Sequence, residues 1–346
     1  MRAVMKLDEK PGIVIKDIDK PRVKPDEVLV EVKSTGICGS DLHLYSWDAQ
    51  ALKWKAPLPK VIGHEFSGDV VEVGKRVKSV QIGDRVAADS HLYCGKCHLC
   101  KTGRIHICEN MLIYGIQTKE GSFAKYAVIP ESLLYTLPRE VSYEEGALFE
   151  PFGVAMHAVE RAKMMPGDTV VVFGCGTIGL FIQQIAKVCG ASLVIAVGRR
   201  GFRLDYAKRL GAAKVAISSL EEDVAKTVSN LTDGKGADVV FEAAGAAETV
   251  QQSLDVVGKS GKIVLVGAVG KPVELDTTSL VVYKEATVIG STGRLMFQTW
   301  ERMAKLVKEK RIDLLSFVTH RFSLEEVEKG FQAMFKGEAV KVLLTP

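Results

Sequence analysis

The second half of the chain repeats one pattern, in which a short apolar strand is followed by a helical stretch. Thr169-Val-Val-Val-Phe173 is nearly all apolar, which is typical of a parallel strand covered on both faces. A glycine turn, a predicted helix from Leu180 to Cys189 and a second apolar strand from Ser192 to Val197 follow. The alternation continues to Gly290, and it predicts an α/β fold with a doubly wound parallel sheet.

The first part of the chain has a different pattern, with short strands separated by turns. Val28 to Lys33 alternates with period two, and Gly68 to Gly74 is predicted to be a short strand bounded by glycines. These features predict a small, irregular, β-barrel-like domain. The chain ends in an apolar stretch, Lys341-Val-Leu-Leu344, which we expect to return to the first domain as a strand. We therefore predict a discontinuous catalytic domain of residues 1–153 and 295–346, and a cofactor domain of residues 154–294.

The glycine turn after the first apolar strand predicts a dinucleotide site. Its glycines are Gly174, Gly176 and Gly179, and the turn opens the following helix. The tight turn and the close backbone approach predict that the helix start at Thr177 and Ile178 faces a pyrophosphate. The alternative is a glycine-rich turn without a ligand, and the strand–turn–helix context favours the nucleotide.

The end of the second strand indicates which cofactor binds. An NAD enzyme carries a carboxylate there for the ribose 2′-hydroxyl, but this chain has Gly198-Arg199-Arg200, and its next carboxylate is Asp205. Two guanidinium groups suit a 2′-phosphate, so the sequence favours NADP and leaves NAD as the alternative.

Four cysteines in a short segment predict a structural zinc site. Cys94, Cys97, Cys100 and Cys108 follow the spacing Cys-x2-Cys-x2-Cys-x7-Cys, which lets four thiolates close a tetrahedron around one ion. We expect this site to brace its loop, since a filled tetrahedron leaves no position for a substrate. The remaining Cys175 and Cys189 are expected to be buried packing residues.

A second metal site is predicted from residues far apart in the chain. Cys38 follows a strand, His64-Glu65 precedes another, and Glu150 lies at the predicted domain join. A catalytic zinc needs three protein ligands and an open position, and Cys38, His64 and Glu150 meet that need. Glu65 is either a fourth ligand or an outer carboxylate. Singly, each of these residues could instead be a buried thiol, a core histidine or a helix-start carboxylate.

Taken together, these residues resemble the zinc-containing medium-chain dehydrogenase family. The motifs are Gly-Ile-Cys-Gly-Ser-Asp-Leu-His, Gly-His-Glu-Phe-Ser-Gly, the four cysteines, Glu-Pro-Phe and the glycine turn, and they cover essentially the whole chain. The resemblance implies a β-rich, GroES-like catalytic domain, a Rossmann cofactor domain and a homotetramer or dimer. The resemblance is nearest to the threonine-oxidising branch, with sorbitol and polyol dehydrogenases next.

The resemblance also implies roles for individual side chains in the oxidation of a secondary alcohol. Ser40 would accept the substrate proton, and His43 would release it after passage through the cofactor ribose. His91 would lie near the zinc, close to the substrate. Arg294 would pair either with a substrate carboxylate or with the cofactor phosphates. For each of these residues the alternative is a surface or structural role.

Composition narrows the classes of partner. The excess of Lys and Arg over Asp and Glu is only 4 and is spread along the chain, so we expect no nucleic acid. No apolar stretch is long enough for a bilayer, and the first residues lack the core of a signal peptide, so we expect a cytoplasmic protein with reduced thiols. We expect a small alcohol as substrate. A non-catalytic, redox-sensing protein that binds zinc and nucleotide is the alternative from another class.

Overall fold

The computed structural model describes residues 1–199 and 201–346. Within them the chain divides into unit 1, Met1–Pro151 with Leu295–Pro346, and unit 2, Phe152–Arg294. Arg200, predicted above to face the cofactor, lies outside the described residues.

The strands run in chain order as follows. They are β1 Arg2–Lys6, β2 Val14–Asp17, β3 Glu27–Ile37, β4 Lys60–Val61, β5 Glu65–Val73, β6 Arg85–Ala88, β7 His91–Leu92, β8 Leu112–Ile113, β9 Tyr126–Pro130, β10 Leu134–Thr136, β11 Thr169–Phe173, β12 Leu193–Gly198, β13 Val215–Ser218, β14 Ala237–Glu242, β15 Val257–Leu265, β16 Thr287–Gly290, β17 Val318–Ser323 and β18 Lys341–Thr345.

The helices connect and flank these strands. They are α1 Gly39–Ser46, α2 Ala49–Trp54, α3 His98–Lys101, α4 Tyr143–Ala147, α5 Phe149–Ala162, α6 Thr177–Val188, α7 Phe202–Leu210, α8 Val224–Leu231, α9 Ala247–Val256, α10 Gln298–Lys308 and α11 Val327–Lys336. Short 3-10 turns lie at Ile105–Ile107, Glu131–Leu133, Leu314–Phe317 and Leu324–Glu326, and a single π turn lies at Thr278–Val282. In the part of the chain that the structure describes, no helix is long and apolar enough to span a bilayer.

Unit 1 is built around strand β3, which has apolar residues on both faces. Val28, Val30 and Val32 are buried in one core, while Ile37 at the end of the strand joins a second core with Val342. The main sheet has the order β10-β6-β5-β3-β18-β17, with β9 also paired to β3. The final strand β18 thus returns to this sheet, antiparallel to β3 and parallel to β17.

The pairing of β3 with β5 creates the place for a site. These strands are antiparallel, and Gly36 near the end of β3 pairs with Glu65 at the start of β5. The residues just past these strand ends therefore meet, although they lie far apart in the sequence. Cys38 follows β3 and His64 precedes β5, so the register brings them together.

Unit 2 is a parallel sheet with the strand order β13-β12-β11-β14-β15-β16. Central strand β11 is covered on both faces, since Val170, Val171 and Val172 are all fully buried. Counted from β11, the order is 3-2-1-4-5-6, that of a doubly wound dinucleotide-binding fold. The carboxyl ends of β11, β12 and β14 lie side by side in this order.

Two local expectations differ from the structure. Cys189 is exposed rather than buried, because it stands at the C-terminal cap of α6, where the chain turns away at Gly190. The sequence from Val154 to Ala162 also predicts a helix, but the helix begins earlier, at Phe149, so Glu150 lies in the first turn of α5. Pro151 did not mark its start from sequence alone, although proline suits the first turn of a helix, where its missing N–H costs nothing.

Candidate functional site: a three-donor metal site, a four-cysteine site and a nucleotide turn

Three side chains of unit 1 form one compact group of metal donors. Cys38 Sγ, a ring nitrogen of His64 and a carboxylate oxygen of Glu65 all lie within 4.8 Å of one another. His64 and Glu65 are buried, and Cys38 is partly exposed. We call Cys38, His64 and Glu65 the three-donor site. A thiol, an imidazole and a carboxylate are donors that zinc accepts, and three of them leave a fourth position open.

The buried carboxylate of Asp41 lies beside His64 in this site. Its Oδ2 accepts a hydrogen bond from the backbone N–H of Cys38 at 2.9 Å, and its Oδ1 lies 3.6 Å from His64 Nδ1. Burial by itself lowers the pKa of His64, but the Asp41 carboxylate and the Cys38 sulfur outweigh it and raise the pKa. The surroundings of the ring therefore favour a positive charge, which a metal cation would also supply.

Glu65 is paired with a buried lysine. Lys341 Nζ contacts Glu65 Oε2 and donates to the Ile37 carbonyl at 3.0 Å, and both side chains are about 1% exposed. Burial raises the pKa of Glu65, and the charge of Glu150 raises it further against the opposing effect of Lys341. Glu65 Oε1 has no hydrogen-bond partner in the structure, so one carboxylate oxygen is free to turn to a cation.

Glu150, predicted as the third zinc ligand, lies beside this group but is not one of its three close donors. Its carboxylate acts electrostatically on Glu65, and its Oε1 accepts a hydrogen bond from Ser90 Oγ at 2.7 Å. The neighbouring His91 is also fixed, because its Nδ1 lies 3.0 Å from Asp89 Oδ1. Ser90, His91 and Glu150 are all buried.

The two residues predicted for proton transfer lie on α1, directly after Cys38. Ser40 Oγ is 3.4 Å from His64 Nε2, which places its hydroxyl at the three-donor site. His43 is three positions further along α1, and this spacing puts the two side chains on one helix face. His43 is 45% exposed, so its ring reaches solvent.

The four predicted thiols meet as a group at the surface of unit 1. The Sγ atoms of Cys94, Cys97, Cys100 and Cys108 lie within 4.8 Å of one another. Backbone amides point at them: Cys97 N–H donates to Cys94 Sγ at 3.4 Å, and Cys94 N–H to Cys108 Sγ at 3.3 Å. The amides of Lys96 and Cys97 lower the pKa of Cys94 to about 6, which favours the thiolate form of this one cysteine. We call this group the four-cysteine site.

The nucleotide turn of unit 2 has the geometry that its glycines predict. Gly174 has a φ of 102°, a value that side-chain-bearing residues rarely adopt. A Cβ at Gly179 would lie 1.9 Å from the Gly174 carbonyl oxygen, so only glycine lets α6 pack this closely. At Gly176, which caps α6, an added Cβ would meet nothing within 4 Å, so that side of the turn is open to a ligand. Thr177 and Ile178 are the first two residues of α6, directly after this turn.

Positive charge collects after the end of β12. Arg199 is exposed directly beyond Gly198. Burial and the charge of Arg199 lower the pKa of Arg203 in the first turn of α7, which shows that the two guanidinium groups are close. Arg294, the last residue of unit 2, is 1% exposed.

Several site residues were missed from sequence. Asp41 stands in the quoted motif, three residues after Cys38, and that capping-box spacing could have identified it. Ser90 and Arg203 have only weak signals, as neighbours of residues already singled out. Lys341 has no local signal at all, since it reaches Glu65 only through the return of the final strand.

Known proteins resemble this chain along its full length. Residues 24–139 match the family model of the alcohol dehydrogenase GroES-like domain, and residues 177–309 match that of zinc-binding dehydrogenase. The chain is 41% identical over 346 residues to L-threonine 3-dehydrogenase of Bacillus subtilis (strain 168), covering 100% of this chain and 99% of the relative.

Solved structures with the same fold include two informative ones. The 2R,3R-butanediol dehydrogenase of Bacillus subtilis has a TM-score of 0.90 and 34% identity, covering 100% of this chain and 99% of that chain. A zinc-binding dehydrogenase of Sinorhizobium meliloti 1021, solved bound to NADP, has a TM-score of 0.91 and 32% identity, with the same coverage.

Proposed function

Because the chain belongs to the zinc-containing medium-chain dehydrogenase family, we propose that it oxidises a secondary alcohol, L-threonine before others, and transfers the hydride to NADP. The observation that carries the proposal is the three-donor site, which lies in a chain whose full-length relative is an L-threonine 3-dehydrogenase. A redox sensor would need only the four-cysteine site and the glycine turn, so the three-donor site speaks against that alternative.

In this proposal unit 1 holds two zinc ions, and unit 2 holds the cofactor. Cys38 and His64 bind the catalytic ion together with a carboxylate, either Glu65 or Glu150, and the four-cysteine site binds the structural one. Bound zinc supplies Lewis-acid polarisation of the substrate hydroxyl, and the bound cofactor supplies the hydride acceptor. Asp41 and Lys341 orient His64 and Glu65 from behind.

Two side chains of α1 carry the proton of the substrate hydroxyl to solvent. Ser40 Oγ lies at the three-donor site and accepts it, and His43, on the same helix face and open to solvent, passes it to water. Replacing His43 by alanine should slow turnover mainly at low pH, where hydroxide is too scarce to take the proton directly. A pH–rate profile identical to that of the unmodified enzyme would contradict this path.

An amino-acid substrate needs partners for its two charged groups. We propose that His91, held by Asp89, contacts the substrate near the metal. Arg294 binds an anion, either the substrate carboxylate or the cofactor phosphates. An Arg294→Lys variant separates the two possibilities. A higher KM for threonine with unchanged cofactor affinity would indicate that Arg294 binds the substrate carboxylate.

The choice of NADP is supported by the space and charge at the end of β12. A Cβ at Gly198 would lie 2.9 Å from Cys175 Sγ, so the carboxylate of an NAD enzyme cannot enter unless Cys175 moves. Arg199 and Arg203 gather positive charge where a 2′-phosphate would sit. We expect Arg199→Ala to weaken NADP binding about tenfold and NAD binding hardly at all, as measured by cofactor fluorescence titration.

A second candidate is an NADP-dependent polyol or simple secondary alcohol dehydrogenase. The structural likeness to a butanediol dehydrogenase and to an NADP-bound relative favours it. Initial rates with L-threonine, 2,3-butanediol, sorbitol and 2-propanol, each with NAD and NADP, decide between the two. Threonine as the best substrate supports the first proposal, a diol or simple alcohol supports the second, and no turnover with any pair contradicts both.

We also propose that the enzyme is a homo-oligomer, a tetramer or a dimer, in the cytoplasm. The outer strand β16 of the unit 2 sheet leaves one edge without a partner among the described residues. Val288 on it, and Val282 and Tyr283 before it, are exposed, and a second copy could cover them. Light scattering should show the assembly for the native chain and a smaller species for Val288→Lys.

A further inference from the structure

The turn between α1 and α2 brings an aspartate onto the predicted proton-transfer histidine. Trp47 ends α1 in a left-handed conformation with φ of 51°, and the chain reverses so that Asp48 becomes the N-cap of α2. Asp48 Oδ2 lies 2.6 Å from His43 Nδ1. The edge-on ring of Trp54, with its centroid 5.8 Å from that of His43, packs against the imidazole as well.

Asp48 is itself held in place by the helix that it caps. Its Oδ1 accepts hydrogen bonds from the backbone N–H groups of Gln50 at 2.9 Å and Ala51 at 3.2 Å, leaving Oδ2 for His43. Partial burial raises the pKa of Asp48, but the bonds from His43 and from these two amides outweigh it and hold the pKa below its ordinary value. Asp48 is therefore an ionised, oriented acceptor at neutral pH.

The identity of the acceptor decides the tautomer of the imidazole. A carboxylate can only accept, so His43 must carry its proton on Nδ1, and Nε2 is left with the lone pair. We propose that Asp48 is the positioning residue of the proton path, locking His43 in the Nδ1–H tautomer so that Nε2 receives the substrate proton. This inference rests on the proposed role of His43 in the dehydrogenase reaction.

The step balances within the chain and solvent. The hydroxyl that delivers the proton loses its O–H bond, and an N–H bond forms at His43 Nε2. The resulting imidazolium cation faces the Asp48 anion at 2.6 Å, which stabilises it. Release of the same Nε2 proton to water returns the ring to its starting tautomer, because Asp48 retains the proton on Nδ1.

The test is Asp48→Asn in the full-length, zinc-loaded enzyme. Asparagine is as good an N-cap as aspartate, so α2 keeps its start, but an amide has no charge and can donate an N–H to Nδ1. The readout is the ¹⁵N chemical shifts of the His43 ring at neutral pH, assigned by comparison with His43→Gln. The matched control is Asp313→Asn, which caps Leu314–Phe317 through the same amide spacing but faces no histidine in the structure.

We expect Asp48→Asn to move the protonated nitrogen signal of His43 from Nδ1 toward Nε2, and to lower kcat at least about tenfold with KM changed less than about twofold. Asp313→Asn should change neither. An unmoved tautomer in Asp48→Asn overturns the inference. A shifted tautomer with unchanged kcat means that Asp48 orients His43 but that His43 is not on the proton path, so the proposed role of His43 fails instead. A shifted tautomer in an enzyme that oxidises no alcohol tested leaves the orienting contact standing and refutes the proposed reaction.

Discussion

The two candidate metal sites of unit 1 are built in opposite ways. The four-cysteine site draws all its donors from Cys94 to Cys108, and its thiolates are supported by amides of the same short loop. The three-donor site joins Cys38 to His64 and Glu65 through the register of β3 and β5. Its support comes from Asp41, three residues after Cys38, and from Lys341 on the final strand. A site that only braces a loop can be local, while a site that performs chemistry needs a rigid frame around an open position.

The largest expected effect is a loss of activity when the three-donor site is changed, and it distinguishes this site from the four-cysteine site. Cys38→Ser should lower kcat by about three orders of magnitude, because Lewis-acid catalysis contributes several kcal/mol to the rate. The melting temperature should stay within about 3 °C, since the fold does not depend on this thiol. Steady-state kinetics and thermal unfolding measure both. Cys189→Ser, at an exposed cysteine, is the matched control and should change neither.

The reverse pattern is expected at the four-cysteine site. Cys97→Ser should lower the melting temperature by on the order of 10 °C, because a structural metal contributes folding free energy directly. The activity per folded molecule, measured well below the transition, should fall less than about threefold. If Cys97→Ser instead loses activity while remaining fully stable, the division of labour between the two sites is wrong.

A smaller effect decides whether Glu150 belongs to the catalytic zinc shell. Ser90→Ala removes the hydroxyl that donates to Glu150 Oε1 at 2.7 Å. If Glu150 is a ligand, zinc affinity at the three-donor site should fall about tenfold, as outer-shell substitutions do. Competition with a chromophoric chelator measures it, and Ser192→Ala, an exposed serine of unit 2, is the control. An unchanged affinity would leave Glu65 as the carboxylate ligand.

A further expected effect, on stability rather than on activity or zinc affinity, concerns the frame of the three-donor site. Lys60 donates from its buried Nζ to the carbonyls of Gly115 and Ile116 at 2.7 and 2.6 Å. Gly115 packs against His64, since a Cβ there would lie 3.2 Å from His64 Cβ. Lys60 therefore braces the loop behind one predicted ligand.

Burial lowers the pKa of Lys60 to about 7, so the folded protein releases this proton at a lower pH than the unfolded chain does. Between about pH 7 and pH 10, unfolding takes up a proton, and the free energy of unfolding should therefore rise with pH by up to about 1.4 kcal/mol per unit. Denaturant titrations at several pH values should show this rise in the native chain and lose it in Lys60→Met. The exposed Lys305→Met should keep it, and a rise that survives in Lys60→Met would contradict the assignment.

The same contrast between local and distant residues explains which features could be predicted from the sequence. The four-cysteine site, the glycine turn and the alternation of strands and helices are local patterns, and the structure has each of them where the spacing predicts it. Ser323 and Glu326 have the Ser-x-x-Glu spacing of a capping box, which is equally local, and the structure has this capping box. Cys38 and His64 were paired by what zinc chemistry requires, and the two side chains lie close together in the structure.

The contacts that could not be predicted from the sequence depend on how the strands and helices pair in the folded unit. No local pattern indicates that Lys341 meets Glu65, that Ser90 holds Glu150, or that Asp48 turns back onto His43. Each contact follows from a strand pairing or a helix reversal whose geometry is set by the whole unit. The burial of Cys189 was predicted wrongly for a related reason, because the side chain of a residue that caps a helix can face either the core or solvent.

The most direct test of the central claim is the zinc content of the purified full-length protein, compared with that of Cys38→Ser and Cys97→Ser, by inductively coupled plasma mass spectrometry. Two distinct metal sites predict two zinc ions per chain in the native protein and about one in each variant, with alcohol oxidation lost in Cys38→Ser alone. A native protein that binds one ion, retained in Cys38→Ser and lost in Cys97→Ser, would contradict the account, because the three-donor site would then hold no metal.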